Sequence, residues 1–142
     1  MVYFVTGFTG AVVPIIVEDL LRKDPDAFFY FGLRPDDAGN HVQSRFDAVV
    51  ASLELSDAER EALRAHSRLV TIDVERERLG IAPGLWEELV ERVEKILHGA
   101  ADVRFDQPYE TIRVSNVVFT EKVYGLHAAI RNHRASTGAS AP

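Results

Sequence analysis

The stretch "YFVTGFTGAVVP", residues 3–14, comes almost at the first residue of the chain and decides how the remainder is read. The run from Val2 to Thr6 is apolar, β-branched and aromatic, with the length and character of a buried strand. Gly7 and Gly10 follow at once, and Val13, Ile16, Val17, Leu20 and Leu21 then recur at helical spacing up to Arg22. Pro14 suits that helix, because a proline in the first turn gives up an N–H that has no partner there. A strand, a glycine turn and a helix in immediate succession form the βα turn that receives a dinucleotide in many α/β proteins. Val13 departs from it, standing where a third glycine would continue the spacing.

The same alternation continues along the chain. Residues 27–33 ("AFFYFGL") predict a second strand, and residues 39–54 place Val42, Phe46, Val49, Val50 and Leu53 at helical spacing. Ser56-Asp57-Ala58-Glu59 has capping-box form and starts a further short helix. Residues 68–74 ("RLVTIDV") predict a third strand, residues 85–93 a helix, and residues 95–101 ("KILHGAA") a fourth, shorter strand. A last helix is expected from about Tyr109 to Arg131, carrying Ile112, Val117, Val118, Val123, Leu126 and Ile130. From residue 132 onward the chain is small and polar and reads as a frayed tail, so the domain is taken as 1–131 with a flexible segment 132–142. Strands apolar throughout, alternating with amphipathic helices, predict a parallel α/β sheet covered by helices on both faces. Right-handed crossovers give about four strands in the order 3-2-1-4, with a crevice at the carboxyl ends of strands 1 and 4.

Composition narrows the function classes. A chain of 142 residues is enough for one domain with a real core. A net charge of −6 with no run of lysines excludes a nucleic-acid or anionic-membrane surface. Without cysteine there are no disulfides, thiolate metal sites or cysteine nucleophile. No two of the five histidines stand at i,i+4 in the pattern that holds a metal with a carboxylate, so no metal site is expected. No basic leader precedes a longer apolar segment, and no stretch approaches the roughly 20 apolar residues that span a bilayer, so a cytoplasmic location is expected.

With these elements in place, the chain resembles the N-terminal part of an extended short-chain dehydrogenase/reductase. It is most similar to the thioester-reductase and fatty acyl-CoA reductase ("male sterility") domains. The resemblance runs from Val2 to about Arg131 and rests on Thr6-Gly7-x-x-Gly10, on "GLR" closing strand 2 at Arg34, and on "LSDAER" (55–60). "LGIAPGLWEELVERVEKILHGAA" (79–101) and "PYETIRVSNV" (108–117), in that order and spacing, make it much more specific. It implies a Rossmann-like fold and a candidate cofactor loop of Thr6, Gly7, Thr9 and Gly10, whose glycines let the backbone approach a pyrophosphate at the helix start. It further implies that Arg34 meets the 2′-phosphate of NADP, that Asp73 accepts from the adenine amino group, and that Ala100 and Ala101 leave room for the nicotinamide ribose. Asn116 would hold the last helix in place from the strand-4 side.

The departures from that pattern replace small residues by bulky apolar ones: Val13 and Ile72, both expected where the cofactor lies, and Phe119, expected to fill space. The proton-handling Tyr-x-x-x-Lys pair of the family is also missing. The lysines are Lys23, Lys95 and Lys122, and four residues before them stand Asp19, Glu91 and Val118. The chain is therefore not expected to be a self-sufficient NADP-dependent oxidoreductase. The residues dictate no cofactor on their own, and the turn is open to two readings, an NADP site or an empty βα turn kept for the fold. His98, within an apolar strand, reads as a hydrogen-bonded core residue.

Two function classes follow. In the first, the chain is a dimeric binding or assembly subunit, using the open edge of strand 4 to meet a second copy or a protein that supplies further strands. In the second, it serves an enzyme of acyl or polyketide metabolism, as half of a split thioester reductase or as a non-redox catalyst. For the latter, Asp102, Asp106, Tyr109 and Glu110 are the candidate acid and base groups, with Arg104 holding an anion.

Overall fold

A computed structural model describes residues 1–35, 41–101 and 106–138. Four parallel strands, β1 (Val2–Thr6), β2 (Phe28–Leu33), β3 (Ser67–Thr71) and β4 (Lys95–His98), form one sheet in the order β3-β2-β1-β4, as the alternating pattern predicts. The sheet divides the apolar residues between its faces by simple alternation. Phe4 of β1 and its partner Tyr30 of β2 point to one side; Val5, Phe29 and Phe31 point to the other. The first side is covered by α4 (Pro83–Arg92) and α6 (Phe119–Thr137). The second is covered by α1 (Val13–Lys23), α2 (Val42–Ser52) and α3 (Asp57–Ala65).

The aromatic residues of β2 anchor both layers. On the α2 side, Phe31 is fully buried between Phe8 and Phe46, with ring centroids at 4.3 and 5.4 Å. On the α4 side, the fully buried Tyr30 hydroxyl donates to Glu88 at 2.8 Å and accepts from Arg92 at 2.7 Å, so its polar atom is satisfied. The capping box predicted at Ser56 is present in full: Ser56 Oγ accepts from the Glu59 amide at 3.1 Å, and the Ser56 amide donates back to Glu59 at 3.0 Å.

The end of the chain differs from expectation. The helical run that starts with α5 (Tyr109–Arg113) passes through a π turn (Val114–Val118) into α6 and continues to Thr137, so residues 132–137 are helix and not a frayed tail. The apolar pattern stops at Ile130, but polar contacts take over. Arg134 donates to the Val93 carbonyl at 3.2 Å, the Ser136 and Thr137 hydroxyls bond back to His133, and Gly138, with φ +74°, ends the helix. Val117, one of the apolar residues expected along this helix, is 47% exposed: at about 100° per residue it falls on the side opposite Phe119, Val123, Leu126 and Ile130.

Two substitutions separate core packing from local capping. Phe31→Ala, which empties the aromatic stack, is expected to cost about 3–5 kcal/mol of stability. Ser56→Ala is expected to cost about 1 kcal/mol. Urea denaturation with both variants against the parent checks the ratio.

Candidate dinucleotide site

At the carboxyl end of β1 the backbone turns sharply at Gly7, whose φ of +86° is a conformation side chains disfavour. A Cβ there would lie 2.5 Å from the Gly99 carbonyl carbon, so the turn rests directly on the segment leaving β4. The Gly10 amide donates to the Gly7 carbonyl at 3.0 Å and the Gly99 amide to the Thr6 carbonyl at 3.1 Å, which ties the loop to both strands. No side chain caps the N-terminus of α1. Pro14 has no N–H, and the Ile15 and Ile16 amides donate to the Val12 carbonyl at 3.1 and 3.3 Å, so this end meets the crevice beyond β1 and β4 with the glycine-turn backbone and the helix dipole.

Val13 does not occupy that crevice. Contrary to the sequence expectation, it is 4% exposed and packs inward with Val17 and Phe8, its Cγ2 lying against Gly99. Ile72 is likewise buried, in the opposite core layer with Phe4, and contributes only to the wall of the neighbouring cleft. Phe119 does fill space: its ring is 2% exposed and lies between the Arg34 guanidinium, 5.7 Å from its centroid, and the His98 ring at 4.9 Å.

The neighbouring cleft, about 590 Å³, opens beyond the carboxyl ends of β2 and β3, and Arg34, Ile72, Asp73 and Gly80 line it. Asp73 is exposed there and held in a turn by the Glu75 amide, which donates to its carboxylate at 3.0 Å. Arg34 and Asp73, predicted separately, therefore share one cleft. Ala100 packs against the core beside the Gly7 turn, and Ala101 is exposed. Asn116 lies in the π turn, where its carbonyl accepts from the Thr120 hydroxyl at 2.7 Å.

Sequence reasoning missed Arg45. From the first turn of α2, it donates to Thr9 Oγ1 at 3.2 Å and to the Arg34 carbonyl, joining the glycine loop to the end of β2. A cation in the first turn opposes the helix dipole, and α2 has no acidic residue there; that misplacement was the available signal.

The proposed acid–base loop is less coherent. Asp102 and Arg104 lie outside the described residues. Asp106 and Tyr109 are exposed, Tyr109 at 73%, while Glu110 is paired with Arg113 at 3.1 Å. None of these three lines the cleft that holds Arg34 and Asp73.

His98 sits at the end of β4 with both ring nitrogens engaged, Nδ1 2.6 Å from Thr6 Oγ1 and Nε2 3.0 Å from Thr120 Oγ1. Thr120 gives its only hydroxyl proton to the Asn116 carbonyl, so it accepts from Nε2–H, and Thr6 must donate to Nδ1. This chain of donors fixes a neutral imidazole, and burial lowers the pKa below its ordinary 6.5. An unfolded chain thus binds this proton more readily than the folded one. The contribution of His98 to stability is complete above about pH 6.5 and is lost as the pH falls from there through the folded-state pKa. Thermal denaturation between pH 7.5 and 5 is expected to show that loss (about 2.5 pH units of scan), and His98→Asn to flatten it.

Comparison with known proteins agrees with this geometry. The family described as "Male sterility protein" matches residues 5–141. Over 129 residues the chain is 31% identical to the L-2-aminoadipate reductase large subunit of Eremothecium gossypii, covering 89% of this chain and 9% of that protein. It is 32% identical over 132 residues to a putative fatty acyl-CoA reductase of Drosophila melanogaster, covering 91% and 26%. Among solved structures, the terminal R domain of the myxalamid PKS-NRPS pathway superposes with a TM-score of 0.75 at 28% identity, covering 91% of this chain and 32% of that one. The R domain of a Mycobacterium tuberculosis non-ribosomal peptide synthetase shares the fold, with a TM-score of 0.67 at 23% identity. The chain belongs to the male sterility family, and it spans from about a tenth to a quarter of the length of these curated relatives.

Proposed function

We propose that this chain is the NADP-binding part of an acyl-thioester reductase system, holding the dinucleotide while the proton-handling groups come from outside these 142 residues. The observation that carries the reading is the pairing of the Gly7 turn with two guanidinium side chains. Arg34 lines the adenine-side cleft, and Arg45 bridges the glycine loop to the end of β2. The residues present fit the group: a glycine cradle that a Cβ would fill, the start of α1, two cations and a carboxylate for the adenine side.

When bound, NADPH supplies a hydride. The residues of this chain bind and orient. The backbone at Gly7 and Gly10 admits the pyrophosphate, Arg34 and Arg45 pair with the 2′-phosphate, and Asp73 accepts from the adenine amino group. Ala100 and Ala101 leave the space in which the nicotinamide ribose lies. The lack of a Tyr-x-x-x-Lys pair supports the view that the chain has no redox activity by itself. Acyl or polyketide intermediates are the substrate class of the assembled protein, a reading supported by the aminoadipate and fatty acyl-CoA reductase relatives.

The free edge of β4 favours a further role in assembly. Among the described residues β4 pairs only with β1, and two hollows share Ile96 and His127 beside it, one with Val123 and Tyr124 and the other with Ile130 and the charged Glu94, Lys95 and Arg131. An open edge beside apolar side chains is an association surface, covered by a second copy or by strands from another protein. Light scattering at micromolar concentration is expected to give a dimer; a 15.8 kDa monomer contradicts self-association.

Cofactor titration tests the main reading. NADPH at 100 times its dissociation constant is expected to stabilise the fold by about 2.7 kcal/mol. Arg34→Ala and Arg45→Ala should each weaken NADPH roughly ten- to a hundredfold, with little change for NADH, because only NADPH carries the 2′-phosphate. No stabilisation at millimolar NADPH rules the reading out.

A further inference from the structure

Val13 has displaced the glycine whose usual task is to let the first helix pack closely on the sheet and approach the dinucleotide. A valine there should hold α1 away from the strands, yet the turn keeps its geometry. The reason lies across the contact. A Cβ built on Gly99 would fall 2.2 Å from Val13 Cγ2, far inside any permitted separation. The space freed by the missing side chain at position 99 is the space the valine fills.

Gly99 is also the point on which the rest of the loop rests. Its carbonyl carbon faces the Gly7 turn, and its amide donates to the Thr6 carbonyl at 3.1 Å. A side chain at position 99 would push on the first residue of α1, and through it on the helix end that faces the crevice. We infer that Gly99 takes over the role of the third glycine, supplying from β4 the clearance that α1 no longer supplies, so that Val13 and Gly99 form one compensated pair that positions the dinucleotide loop.

The pair is positional and makes a quantitative steric claim. After Val13 Cγ2, the atoms nearest to a Cβ at position 99 would be Thr6 O at 3.5 Å and Val13 Cβ at 3.7 Å, both ordinary contact distances. Gly99→Ala should therefore be poorly accepted beside valine and well accepted beside alanine.

The inference rests on the reading that this loop binds NADP, and a double-mutant cycle keeps the two apart. The four proteins are the parent, Val13→Ala, Gly99→Ala and the double variant, each read by NADPH titration and by thermal midpoint. Gly99→Ala is expected to weaken NADPH by about tenfold or more and to lower the midpoint by several degrees. Val13→Ala should lower the midpoint through the lost methyl groups while binding NADPH within about threefold of the parent. The double variant should bind as Val13→Ala does, with a midpoint above the one that adding the two single effects predicts. If Gly99→Ala fails to fold, recovery of a folded double variant carries the same meaning. A Gly99→Ala protein that matches the parent, or a double variant no better than Gly99→Ala or equally unfolded, overturns the inference. Failure of the parent to bind NADPH would instead remove the cofactor reading, with the non-additive midpoints still deciding whether the pair is coupled.

Discussion

The contact of the Gly7 turn with the Gly99–Ala100 peptide is the constraint on which the site depends. Two parallel strands end side by side there, and the chain must leave β1 at an angle that neither strand pairing nor helix packing supplies. A positive φ at Gly7 provides the angle, and the absence of side chains at both positions allows backbone to meet backbone. Once the turn is seated, the direction of α1 follows, and with it the direction of the helix dipole at its start. The hydrogen bonds of Thr6 extend the junction inward, through its carbonyl to Gly99 and its hydroxyl to His98, and from His98 onward to Thr120 on α6. The loop, the sheet end and the last helix are thereby one mechanical unit.

Much of this was legible in the sequence because the signals were local and repetitive. Four apolar runs separated by amphipathic segments dictated a parallel sheet, and the order of its strands follows from the handedness of the crossovers. What stayed hidden depended on partners distant in sequence. Val13 read as an obstruction because nothing near it reveals Gly99, 86 positions further on, as the residue that makes room. Arg45 had no signal of its own in the apolar pattern of α2, since its value lies in reaching Thr9 and the Arg34 carbonyl at once. The helix over 132–137 was missed for another reason: periodicity detects burial, and these residues are held by hydrogen bonds and helical continuity without an apolar stripe. The same limit applies to the π turn, which shifts the phase of a helix without leaving a mark in composition.

The glycine turn keeps its backbone geometry here even where the letters of the family's motif differ. Of the bulky replacements, Val13 and Ile72 are absorbed by the core on opposite faces of the sheet, and Phe119 serves as a floor between Arg34 and His98. None of them is the exposed, unconstrained residue that a decayed site would accumulate. The groups that move protons in the family have no counterpart at the expected spacing in these 142 residues. The proposed reading separates binding from chemistry: it assigns the former to the backbone of the glycine turn and to Arg34 and Arg45, and the latter to side chains outside these 142 residues.

The central claim is that the loop formed by residues 6–13 receives the pyrophosphate of NADPH. The most direct measurement follows the backbone amide resonances of the folded chain during addition of NADPH. The largest shifts are expected at Gly7, Gly10, Ala11 and Val12, with smaller ones at Arg34 and Asp73 and none at the amino-terminal ends of the strands. Saturating NADPH that leaves the Gly7 and Gly10 amides unmoved would contradict it.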